Sequence, residues 1–304
     1  MTGVQTCALP ISVSTTAIPP QAAVAPARWI ISRERDLVWF IGSALAGYLA
    51  LGLMAMGVPL VPIMLFWLLL VDGPHVLSTV TRTYFDTAER AKLGWFLWIP
   101  IPLMLAGPLT VWAGQASLFF LFAVCWQHFH IVKQHFGFMM LYKAKNGERG
   151  RSDFLLDRWF LLASLFAPLA LFVMRTQPAL SAAVASPWPS GLLTAAYGIL
   201  VLMWAGQQFQ KWRGGEPMNP PKLILLAVVV PLQWLALLHA SHYGPGGILR
   251  ARIALGLFHS FQYHRLMWFH NRNRYTQPGA DERHGCGRGR LRGRIQSRRI
   301  PIIN

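Results

Sequence analysis

The chain has 304 residues, 54% hydrophobic and only 13% charged, with a formal charge of +17. A mean hydropathy of +0.39 excludes an ordinary soluble domain and reads as an all-α, polytopic membrane helix bundle. The basic excess does not point to nucleic acid, because Lys and Arg are scattered through short segments with no RNA- or DNA-binding motif beside them; the expected partner is the lipid bilayer.

At the start, MTGVQTCALPIS reads as the translation of a sequencing-adapter oligonucleotide, and residues 1–30 are expected to be a non-native or disordered segment. No Lys or Arg precedes Arg28, so the basic n-region of a secretory signal is missing. A transmembrane helical domain is expected over 31–275. Crossing a hydrocarbon core of about 30 Å takes about 20 mostly apolar residues. Eight such runs lie near 37–57, 58–82, 93–113, 117–142, 156–174, 191–206, 222–240 and 249–270.

Basic residues orient these spans, since cytoplasmic loops are enriched in Lys and Arg. Arg28, Arg33, Arg35, Arg82, Arg90, Lys92, Lys143, Lys145, Arg149, Arg151, Arg158, Lys211, Arg213 and Lys222 fall on one side. Only Arg175, Arg250 and Arg252 fall on the other. That asymmetry supports eight spans with both ends in the cytoplasm. Residues 276–304 turn abruptly to Arg and Gly and are expected to be a disordered or frameshifted basic tail, with native helices missing beyond residue 280. Cys7 and Cys286 fall in these ends and Cys125 in a span, so no disulfide framework or CxxC zinc site is present.

Nine of the ten histidines lie in or beside spans, where ionisable side chains face the protein interior and mark functional pathways. Depth selects among them. His75 is seven residues before Arg82, His135 eight before Lys143 and His264 eight before Arg272. At 1.5 Å per residue all three fall about 10–12 Å below the cytoplasmic interface, where imidazoles from the second, fourth and eighth spans could converge on a metal. His259 lies about 7 Å deeper and is a candidate fourth ligand. His259 and His264 are five apart, about 140° around a regular helix, so their convergence requires a π-bulge, a feature that recurs at functional sites.

His128 is nearly aligned with His135 and is a supporting or alternative ligand, whereas His130 points away from both. Gln262 and Tyr263 are placed to support His259 through hydrogen bonds. Asp72, in the helix-breaking VDGPH, is the only carboxylate in a span interior and either caps a turn or supports His75. With so few acids the site is imidazole-dominated, suited to Fe, Cu, Zn or Ni. Phe129, Phe136, Phe261 and Trp268 are candidate channel walls.

GPHV around His75, QHFGF around His135 and FHSFQYHRLMW around His259 and His264 resemble, in the same order, motifs of the Brp/Blh family, the bacterial membrane β-carotene 15,15′-dioxygenases. The late pair is spaced one residue wider here than in that family, and VLST replaces its G-A-x-D. The resemblance implies a multi-pass protein of the bacterial inner membrane in which His75, His135, His259 and His264 hold Fe(II). It also implies oxidative cleavage of a hydrophobic small-molecule substrate of the carotenoid type. Two other readings stay open on sequence: a membrane transporter with titrating histidines, and a scaffold without catalysis whose histidines pair helices.

Overall fold

The computed structural model describes residues 26–176 and 188–275, and every regular element among them is helical. Eight long helices occur in order among the described residues: α1 Arg33–Ala55, α2 Leu60–Phe85, α3 Thr87–Trp112, α4 Ala116–Lys145, α5 Arg151–Thr176, α6 Trp188–Arg213, α7 Pro220–Ser241 and α8 Ile248–Tyr275. Six of these, all but α4 and α8, are long and apolar enough to cross a membrane. Helices α4 and α8 match the other two expected spans, but His128, His130, His135 and Lys133 interrupt one, and Arg250, Arg252, His259, His264 and Arg265 the other. These polar residues set the two apart from the other six, although α4 also exposes Phe120, Leu121 and Trp126.

The outward faces are apolar. Trp112 is 87% exposed and Trp188 81%, and side chains of that size at a surface belong in lipid. Inside the bundle, α8 packs on α1, α7 on α5 and α8. Small residues set the closest approach: Ala50, Ala251 and Ala254 are buried, and a Cβ added at Gly47 would stand 2.7 Å from the Ala254 carbonyl oxygen. Backbones meet this closely only where side chains are small.

Local chemistry explains the breaks. Asp86 accepts hydrogen bonds from the Ala88 and Glu89 backbone N–H groups and starts α3. Gly114 (φ 76) and Gly147 (φ 75) bracket α4 with the left-handed backbone that ends a helix at low cost in glycine. Asn219 caps α7 ahead of Pro220 and Pro221.

Two features revise the sequence reading. Residues 28–31, astride the expected boundary at residue 30, are tied down: Arg28 and Asn146 exchange two 2.9 Å hydrogen bonds, and Asp36 accepts from the Ile30 and Ile31 N–H groups. The expectations for residues 1–12 and 276–304 fall outside the described residues. Asp72 is also not the only interior carboxylate. Asp36 and Asp157 are both 0% exposed, and lie so near helix starts that sequence assigns them to the ends. Asp157 joins Glu148, Lys143 and Lys222 in one buried cluster between α4, α5 and α7.

Candidate metal centre

Helices α2, α4 and α8 run parallel along the site. Gln127 of α4 meets Arg252 of α8 at one level, and seven residues on Gln134 donates to the His259 carbonyl at 3.0 Å. On α2, the turns over Phe66–Asp72 are π-helical, closed by the Gly73 N–H on the Leu68 carbonyl. Pro74 comes next and has no N–H to give; the wider turn accommodates it. One inserted residue rotates the rest of the helix by about 100°, and the face so presented to α8 carries His75.

His75, His130 and His259 each offer a ring nitrogen, and the three lie within 4.8 Å of one another. Ring centroids are 4.8 Å apart for His130 and His259, 5.0 Å for His75 and His259 and 6.3 Å for His75 and His130. Nitrogens bound to zinc-sized metals at about 2.1 Å stand about 3.4 Å apart in a tetrahedral site, so modest side-chain rotation closes the trio. Hydrogen bonding marks two of the three, though single ring nitrogens of His135, His239 and His270 are buried without a partner as well. Nδ1 of His75 and both ring nitrogens of His259 are buried with no partner, although His259 is only 4% exposed. Buried polar atoms are otherwise matched almost throughout proteins, and a cation held by the trio would engage a lone pair from each ring.

The expected residues divide. His75 and His259 are in the trio. His264 instead donates from Nε2 to the Val71 carbonyl at 2.9 Å, with its ring 6.2 Å from that of His75. The π-bulge expected between His259 and His264 is absent, since α8 is α-helical throughout; π turns lie instead on α1 and α2. His135 is 1% exposed and packs its ring 5.0 Å from Phe258, outside the trio. His128 donates Nε2–H to the Leu165 carbonyl at 3.1 Å and accepts at Nδ1 from the Gln233 amide at 3.4 Å. Both its nitrogens are thus used in tying α4 to α5 and α7.

Neither Gln262 nor Tyr263 bonds to the His259 ring, whose nitrogens both lack a partner. Gln262 accepts from Gln134 at 2.9 Å and donates to the Phe40 carbonyl, which fixes the backbone beneath His259. Tyr263 lays its ring 4.2 Å from that of His75 and shares a 2.8 Å hydrogen bond with Thr79. Asp72 faces the trio's cleft and accepts from Ser260 at 3.4 Å.

His130 is the residue that sequence reasoning misses. Phase against His128 and His135 excludes it, yet neither of those faces the site. A better signal lies on its own face: Phe119, Phe122, Ala123, Trp126 and Gln127 precede it at eleven, eight, seven, four and three residues, one helical stripe. That stripe lines a cleft of about 390 Å³ ending at the three histidines. The four expected wall residues, Phe129, Phe136, Phe261 and Trp268, are not among its lining.

Three neutral imidazoles are borderline donors that suit divalent Fe, Zn, Cu or Ni and leave coordination positions open. Cys125 is exposed and adds no thiolate. Comparison of the chain with protein-family models, curated proteins and solved structures finds no match in any of the three.

Proposed function

We propose that this chain is a non-haem iron oxygenase of the bacterial inner membrane, with eight spans and both ends in the cytoplasm, acting on a lipid-soluble substrate. The observation that carries it is the unpartnered, buried set of nitrogens on His75 and His259 beside His130, at the foot of an aromatic cleft. The resemblance of GPHV, QHFGF and FHSFQYHRLMW to the Brp/Blh motifs supports carotenoid-type cleavage, in which both atoms of dioxygen enter one carbon–carbon double bond to give two carbonyl groups.

Helices α4 and α8 have 30 and 28 residues, about 45 and 42 Å at 1.5 Å per residue. Both exceed a hydrocarbon core of about 30 Å, and the one-sided distribution of basic residues supports counting them as spans. When bound, Fe(II) supplies the electrons that let dioxygen react with a closed-shell organic substrate. The chain's own part is to hold the imidazoles, admit an apolar substrate sideways from the bilayer and keep water out. Gln134 and Gln262 fix the His259 backbone for that purpose, and Tyr263 fixes the His75 ring.

The test is metal content. Protein purified in detergent should carry about one iron per chain, by the one site the trio forms, and His75→Ala and His259→Ala should lose it while His239→Ala keeps it. Equal retention in all three variants ends the metal reading. The substrate is tested separately by expression in a carotene-accumulating host, which should lose its colour; unchanged pigment with iron present excludes carotene cleavage alone.

A further inference from the structure

The cleft is divided by polarity. On α4 its aromatic residues Phe119, Phe122 and Trp126 all lie on the N-terminal side of Gln127, while His130 lies beyond it. Arg252 stands at that boundary, its Nε–H donated to the Gln127 side-chain oxygen. Its terminal amino groups have no hydrogen-bond partner among the described residues. The ion pairs among those residues are made elsewhere, by Lys143, Lys211, Lys222 and Arg274. Asp72 lines the polar half, accepts from Ser260 at 3.4 Å and feels the Arg252 charge across the cleft, but forms no ion pair with it. A guanidinium with its planar fork open is shaped for a carboxylate, which it can bind through two parallel hydrogen bonds.

We propose that the cleft binds a long-chain lipid carboxylate, acyl or polyene, its head paired with Arg252 beside the histidine trio and its tail along Phe119, Phe122 and Trp126. This rests on reading the cleft as a lipid-substrate site, and it adds acids to the substrate class: a carotene hydrocarbon would fill the aromatic half and leave Arg252 unpaired. The eight residue steps from Phe119 to Gln127 span about 12 Å at 1.5 Å each. An extended chain advances about 1.2 Å per bond, a third of the rise of one extended residue, so about ten carbons fill the aromatic half.

The experiment measures binding of labelled palmitate and hexadecanol to the full chain in phosphatidylcholine nanodiscs, with empty nanodiscs subtracted. Palmitate should bind at least about tenfold tighter than the alcohol, the worth of a charge-assisted hydrogen bond. Arg252→Gln should erase that preference, Arg252→Lys should keep part of it, and Ala123→Trp should block both ligands by filling the cleft. Among shorter acids, affinity should rise about three- to fourfold per methylene and level off near ten carbons. A parent chain with no preference for the acid, or an Arg252→Gln protein that keeps it, overturns the proposal, as does absence of binding by either ligand. Iron measured on the same samples separates the two ideas: acid preference without iron sinks only the metal reading, and iron without acid preference sinks only this one.

Discussion

Asp157 offers a quantitative test of the packing between α4, α5 and α7. Its carboxylate is 0% exposed; Oδ1 accepts from the Trp204 indole N–H at 2.8 Å and Oδ2 from Lys222 at 3.1 Å and from Lys143. Glu148 Oε2 lies 2.8 Å from Lys222 and 2.9 Å from Lys143, so two ammonium groups meet two carboxylates and the cluster is neutral. Asp157→Asn keeps the shape and the Trp204 hydrogen bond but leaves two cations facing one anion. Breaking a buried pair from one side costs about 3–5 kcal/mol, because the uncompensated charge stays behind. Lys222→Met should cost a similar amount with the opposite residual charge. The double variant is neutral again and should recover part of the loss, with a coupling of about 2–3 kcal/mol, at the upper end for residues in one network. Unfolding in mixed SDS micelles, followed by circular dichroism, measures all four proteins. Strictly additive single costs, or an Asp157→Asn protein within about 1 kcal/mol of the parent, would refute a neutral interlocked cluster.

Two more outcomes rest on named contacts. Gly47→Ala places a methyl 2.7 Å from the Ala254 carbonyl oxygen; forcing α1 off α8 should cost about 1–3 kcal/mol, read in the same unfolding assay. Burial works to raise the Glu148 carboxyl, but hydrogen bonds and charge from Lys222 and Lys143 outweigh it and hold it below its ordinary 4.5. A depressed carboxyl contributes stability that is complete above its unfolded value and is lost as pH falls through the folded one. Stability should therefore hold down to about the ordinary carboxylate range and drop below it, with a shallower drop in Glu148→Gln; identical acid profiles would contradict this.

The bundle is legible in the sequence because lipid exposure demands long apolar runs, and six of the eight expected spans satisfy length and composition outright. The site is legible only by helix. Histidines of the second, fourth and eighth runs are expected to meet, and the trio does draw on α2, α4 and α8, yet the α4 member is His130. The depth scale takes Lys143 as a marker of the membrane surface, whereas Lys143 is 1% exposed and held inside the bundle by Asp157. Counting from it shifts attention to His135. His264 is selected on the same scale without its phase, which points it at the Val71 carbonyl. The π turn of Phe66–Asp72 depends on how α2 settles against α8, and only Gly73 and Pro74 hint at it in the chain.

If His75, His130 and His259 hold one metal ion, as proposed, metal content should follow the trio. The most direct measurement compares bound iron in His130→Ala and His135→Ala, each purified beside the parent protein. His130→Ala should lose the metal and His135→Ala should retain it. Loss in His135→Ala with retention in His130→Ala would contradict that assignment.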